Sequence, residues 1–138
     1  MGHLPIDGEH LTIKDVVDVA RNNRRVELSE QAVERIRKSR DYVDSLVDKG
    51  AVVYGITTGF GKFSDVFISK EDTRALQRNL IVSHACSLGE PLTEETVRAI
   101  MLLRANALAK GFSGIRLETV NTLVEMLNKG VHPVIPEK

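Results

Sequence analysis

Apolar residues recur at helical spacing along most of the chain, and polar caps and glycines mark where each run starts and stops. Thr12 precedes Ile13-Lys14-Asp15-Val16-Val17, so Thr12 can cap a first helix and Asp15 can answer it as a capping box. Ser29 opens a second, with Leu28 placed to staple onto Val33. Val33, Ile36, Val43 and Val47 form its apolar face, and Gly50 ends it. Ser69 and Asp72 predict the start of a third helix, with Leu76 and Leu80 on one face. Thr93 predicts a fourth, with Glu94 and Glu95 at the positive end of the helix dipole and Gly111 as its stop. Its apolar positions, Val97, Ile100, Met101 and Leu108, spread around most of the cylinder and predict deep burial. Ser113 or Gly114 leads into a fifth helix with Val120, Leu123, Val124 and Leu127 inward, closed by Gly130.

Two stretches break this rhythm. Ala51-Val52-Val53-Tyr54 is a β-prone run and predicts a short β element, followed by the glycine-rich Gly55-Ile56-Thr57-Thr58-Gly59-Phe60-Gly61. Three glycines in seven residues lose much chain entropy on ordering. Such a loop is either a connector or an element that needs close backbone approach. The tail, Val131-His132-Pro133-Val134-Ile135-Pro136-Glu137-Lys138, reads as a strand or connector leading elsewhere.

Composition narrows the function classes. Nineteen basic residues balance nineteen acidic ones, which leaves no basic footprint for nucleic acid and no polybasic anchor for a membrane. No apolar run reaches the length of a membrane span, and the N-terminus lacks the pattern of a secretory signal. Hydrophobic residues make up 42% and aromatics 4%, so the core is aliphatic. Cys86 is the single cysteine, and no intrachain disulfide can form. These features predict a soluble, cytoplasmic chain.

Most local motifs fall short of chemistry. Gly61-Lys62 suggests a phosphate loop, but Ile56 stands where the earlier glycine belongs and Phe63 where the hydroxyl belongs. No nucleotide is expected. His3, His10, His84 and His132 lack ligand spacing, so no metal is expected. His84 and Cys86 are two residues apart and cannot share a helix face, and Cys86 is expected as a buried structural cysteine. On local grounds alone, Tyr54 reads as an edge-strand tyrosine and His84 as a satisfied helix-end histidine.

The combination is more specific. Tyr54 to Gly61 resembles the tyrosine loop of the aromatic amino acid ammonia-lyases. Leu76-Gln77-Arg78-Asn79-Leu80, Ser83-His84-Ala85 and Gly89-Glu90-Pro91-Leu92 look like the next family block. Gly111-Phe112-Ser113-Gly114-Ile115-Arg116 and Val134-Ile135-Pro136 match later landmarks in order. The resemblance runs from about Thr12 to the end. It implies a mainly α fold, the helical N-terminal part of the ammonia-lyase (fumarase/aspartase-like) fold, with a short β element and a Gly-rich loop. Residues 1–138 would form the N-terminal segment of the electrophile-bearing domain of a homotetramer.

The resemblance also implies roles. Tyr54 would be the base that takes the β-proton of an amino acid substrate. A phenol ordinarily titrates near ~10, so the complete site must favour its anion. The Ser83-His84 pair is the pattern of the histidine-deaminating members, where the histidine helps hold the imidazole of L-histidine on the way to urocanate and ammonia. Gly61 is a candidate backbone contact to substrate. Family members activate the amino group with a methylidene-imidazolone formed by cyclisation of an internal Ala-Ser-Gly. No Ala-Ser-Gly occurs in this chain. It is expected a few residues past Lys138, and the chain alone is expected to be inactive. Tyrosine or phenylalanine lyases and aminomutases of the same family, or a non-catalytic helical assembly segment, are the alternatives.

Overall fold

The computed structural model describes residues 2–58, 68 and 73–138. Among them lie five helices and two strands, in the order β1 (Leu4–Ile6), α1 (Ile13–Asn22), β2 (Val26–Leu28), α2 (Glu30–Asp48), α3 (Thr73–His84), α4 (Glu94–Ala109) and α5 (Leu117–Asn128). They divide into two compact units. One comprises Met1–Asp41 and Leu88–Lys138, the other Tyr42–Ser87.

Cap chemistry starts three helices where the sequence places them. Thr12 Oγ1 accepts from Asp15 N–H at 3.2 Å and the Asp15 carboxylate accepts from Thr12 N–H at 3.2 Å, which closes the capping box of α1. Ser29 Oγ accepts from Ala32 N–H at 3.1 Å at the head of α2. Thr93 Oγ1 accepts from Thr96 N–H at 3.4 Å at the head of α4. The predicted caps of α3, Ser69 and Asp72, lie outside the described residues.

In the first unit, β1 and β2 pair in parallel with Leu4 opposite Val26 and Ile6 opposite Leu28, and α1 makes the crossover. Leu4, Ile6 and Val26 are buried against Val19 of α1, Leu102 of α4 and Leu127 of α5. Each such aliphatic side chain, withdrawn from water, contributes about 1.5–3 kcal/mol. Pro5 falls on the one residue of β1 whose nitrogen faces away from β2, where a missing donor does no harm. Beyond β2, Val26 turns its own amide and carbonyl away from β1. Asn128 fills that place, its Oδ1 accepting from Val26 N–H and its Nδ2 donating to Val26 O, both at 2.8 Å.

Arg98 of α4 is buried and joins three helices: Nη2 donates to Val19 O at 2.8 Å and Nη1 to Leu127 O at 3.1 Å. Val19 and Leu127 lie in the last turns of α1 and α5, where carbonyls lack helical donors. Asn23 N–H and Arg24 N–H both turn back to Asp18 O, so Val19 O relies on the guanidinium. The tail pairs antiparallel with residues 88–92: Leu92 N–H donates to Ile135 O at 2.8 Å and Lys138 N–H to Leu88 O at 2.9 Å.

Three expectations need correction. First, the β element is not at residues 51–54; residues 51–53 belong to no strand and residues 54–57 form a turn. Second, α4 is not buried all round, since Ile100 and Leu103 are exposed while Val97, Met101 and Leu102 are not. Third, α5 begins at Leu117, after Arg116, rather than at Ser113 or Gly114. Gly114 adopts φ 65, its N–H donates to Ser39 Oγ at 3.0 Å, and its carbonyl accepts from Arg40 Nη1 at 3.2 Å. Its backbone is therefore committed to α2 and cannot join the helix.

Candidate active site

The tyrosine loop belongs to the second unit, and hydroxyl groups shape it. Thr57 Oγ1 donates to Ala51 O at 2.6 Å and accepts from Val53 N–H at 2.9 Å. Val53 O in turn accepts from Ile56 N–H at 3.1 Å and Thr57 N–H at 3.0 Å. These bonds use the main-chain groups that a strand at residues 51–54 would offer to a neighbour, so the β-prone run folds as a turn. Gly55 N–H donates to Thr58 Oγ1 at 3.3 Å, and Gly55 takes φ 73, a conformation that favours glycine. The turn buries Thr57 and Thr58, at 7% and 2% exposure, and leaves Tyr54 62% exposed. The phenol is thus carried at the surface on a hydrogen-bonded turn.

His84 is the last residue of α3 and is exposed. Its Nδ1 lies 2.9 Å from Leu80 O and 3.0 Å from Ser83 Oγ, and Ser83 Oγ also donates to Leu80 O at 3.0 Å. A carbonyl only accepts, so this network places the proton of the neutral ring on Nδ1 and leaves Nε2 as an acceptor. Ser83 and His84 are thus in mutual contact. Gly61 lies outside the described residues.

Other features do not join this site. Cys86 is exposed, not buried as expected: α3 ends at His84, and Cys86 N–H folds back to His84 O at 2.9 Å beyond the helix. A broad cleft runs along the first half of α2, lined by Leu28, Glu34, Arg37 and Lys38, and contains none of Tyr54, Ser83 or His84. Among the described residues no three His, Cys, Asp or Glu side chains gather as metal ligands do. None of their helices is long and apolar enough to cross a membrane.

The family model of the aromatic amino acid lyases matches residues 11–138. The chain belongs to that family. The chain is 71% identical over its whole length to the histidine ammonia-lyase of Caldanaerobacter subterraneus subsp. tengcongensis. It is 67% identical to that of Alkaliphilus oremlandii. In both cases it spans 27% of the relative's length. Among solved structures, the histidine ammonia-lyase of Trypanosoma cruzi superimposes with a TM-score of 0.91 at 40% identity, covering 99% of this chain and 26% of the other. The mainly helical fold is therefore that of the N-terminal part of an ammonia-lyase.

The threonine hydroxyls escaped the reading of the sequence. Thr57 and Thr58 stood there only as residues between glycines. Hydroxyl residues in a glycine-rich loop do signal local hydrogen bonding to the main chain. They do not tell which carbonyl is reached.

Proposed function

We propose that the complete enzyme, of which these residues are the N-terminal segment of the electrophile-bearing domain, converts L-histidine to urocanate and ammonia without oxidation. The observation that carries this reading is the identity of 67% and 71%, over the whole chain, to histidine ammonia-lyases. Tyr54, exposed on its bolted turn, takes the β-proton. His84 offers Nε2 as acceptor to the N–H of the substrate imidazole, with Ser83 and Leu80 O holding the tautomer that makes it one. Gly61 supplies a backbone contact. The methylidene-imidazolone of the family, formed from an Ala-Ser-Gly beyond Lys138, supplies the electrophile that makes the amino group a leaving group. A base and a ring acceptor are what this chain contributes beside it.

The protein works as a cytoplasmic homotetramer in this reading. Phe112, Leu103 and Ile100 are exposed at 90%, 51% and 41%, apolar surface that favours being covered by further chain or by other subunits. The unpaired Cys86 suits a reducing compartment.

The experiment compares the 138-residue chain with the same sequence extended through the Ala-Ser-Gly and the remainder, following urocanate absorbance with L-histidine. Activity is expected only in the extended protein. There, Tyr54→Phe is expected to lower turnover by at least the ~10²-fold typical of general-base loss. Urocanate from the pure 138-residue chain, or near-normal turnover in Tyr54→Phe, overturns the reading.

A further inference from the structure

Thr57 uses every polar atom it has on the turn that carries Tyr54. Its N–H donates to Val53 O at 3.0 Å and its carbonyl accepts from Ile68 N–H at 3.0 Å. Its hydroxyl donates to Ala51 O at 2.6 Å and accepts from Val53 N–H at 2.9 Å. Val53, the residue before Tyr54, thus has both main-chain groups bonded to Thr57. On the other side Gly55 N–H is held by Thr58 Oγ1. The Cα of Tyr54 lies between two anchored peptides.

We propose that Thr57 is a positioning residue for Tyr54, its buried hydroxyl fixing the turn from which the phenol reaches substrate. This rests on the reading of Tyr54 as the base. Only a group that is donor and acceptor at once serves Ala51 O and Val53 N–H together, and among side chains of this size the hydroxyl is the one that does. Without it, two main-chain groups of a half-buried turn lose their partner, and the turn gains freedom to relax toward other conformations. Thr58 serves a different group, its hydroxyl accepting from Gly55 N–H on the other side of Tyr54. Thr57 acts through Tyr54 and not on the substrate. Its loss should therefore appear in the chemical step and not in binding, because a misplacement of about 1 Å lowers rate by as much as ~10²-fold.

The test uses the full-length enzyme and L-histidine. Thr57→Val is expected to lower kcat by roughly 10- to 100-fold with KM changed less than about 3-fold. Thr57→Ser, which keeps the hydroxyl, should restore kcat to within about 5-fold of the parent. In a Tyr54→Phe background Thr57→Val should have little further effect, since residues acting through one another are non-additive. If Thr57→Val does not fold, Thr57→Ala replaces it with the same expectation. Parent-like kcat in the hydroxyl-free variant, an equal loss on the Tyr54→Phe background, or no rescue by Ser overturns the role of Thr57. Near-normal turnover in Tyr54→Phe alone defeats instead the reading on which it rests.

Discussion

Replacing Arg98 by Met removes the guanidinium that ties α4 to the ends of α1 and α5 while keeping a long, unbranched side chain. Two hydrogen bonds vanish, at 2.8 and 3.1 Å, each charge-assisted and each made to a carbonyl in the last turn of a helix. Bonds of this kind contribute about 1.5–3 kcal/mol, so the gross loss is about 3–6 kcal/mol. Against this stands the burial of the charge. Arg98 is 3% exposed and its Nε has no partner, and a buried ion carries a desolvation penalty of several kcal/mol that Met does not. Met cannot, however, satisfy Val19 O, which stays in the core at the negative end of the α1 dipole, whereas Leu127 O keeps the Gly130 N–H at 3.3 Å. The unsatisfied Val19 carbonyl is expected to dominate, with a net local loss of about 1–3 kcal/mol. At tenfold per 1.4 kcal/mol this is a roughly 5- to 140-fold rise in amide exchange in the last turn of α1, with a smaller rise at the end of α5. Hydrogen exchange read by mass spectrometry on the full-length enzyme checks it, with α2 as internal reference. Arg98→Lys, with one point charge for two acceptors, should fall between parent and Met. Unchanged exchange at both helix ends, or a uniform rise through the chain, would refute the assignment of Arg98 as the tie.

His84→Leu in the full-length enzyme should reduce kcat/KM for L-histidine by roughly 5- to 150-fold and weaken competitive inhibition by L-phenylalanine by less than about 3-fold, because only an imidazole loses a partner; equal losses would make His84 structural. Gly111→Ala should destabilise by at least about 2 kcal/mol in chemical denaturation, since Gly111 takes φ 77 and a Cβ there would meet the Arg35 backbone at 2.8 Å; a parent-like midpoint would contradict it. Asp7 accepts from the Glu9 and His10 amides and pairs with the His10 ring at 2.5 Å, which lowers the Asp7 carboxyl well below its ordinary range and raises His10 above 6.5. The Asp7 contribution is present above about pH 4 and lost as pH falls through its depressed value. That of His10 is present below about pH 6.5 and lost as pH rises through its raised value, so the turn is held best between these limits. An NMR titration should place the His10 midpoint above 6.5 and return it toward 6.5 in Asp7→Asn; a midpoint indifferent to Asp7→Asn would sink the pairing.

What the sequence disclosed is what short-range chemistry determines. Thr12 with Asp15, Ser29 and Thr93 start their helices because each cap is completed within three residues. Tyr54 and the Ser83-His84 pair were visible as part of an ordered set of motifs, and the family match bears out that resemblance. What it hid depends on partners far along the chain. β1 and β2 are three residues each, too short for alternation to register, and one carries a proline. Their existence depends on α1 bringing them together. Residues 51–54 have the composition of a strand but lose their ladder groups to the Thr57 hydroxyl and amide. Gly114 would begin α5 if Ser39 and Arg40, some 75 residues earlier, did not hold its backbone. The exposed face of α4 at Ile100 and Leu103 was hidden in a pattern apolar enough to suggest burial on all sides.

The carboxamide of Asn128 stands where the next strand of the sheet would be, and it is 102 residues from its partner. In chain order β1 and β2 are made well before α5, and the outward main-chain groups of Val26 have no Asn128 to meet until then. At about 5–20 residues per second the gap between Val26 and Asn128 amounts to roughly 5–20 s of synthesis. Two strands of three residues do not stand alone, so the sheet and its outer edge at Val26 both await the packing of α4 and α5. One side-chain amide closes it, and only late.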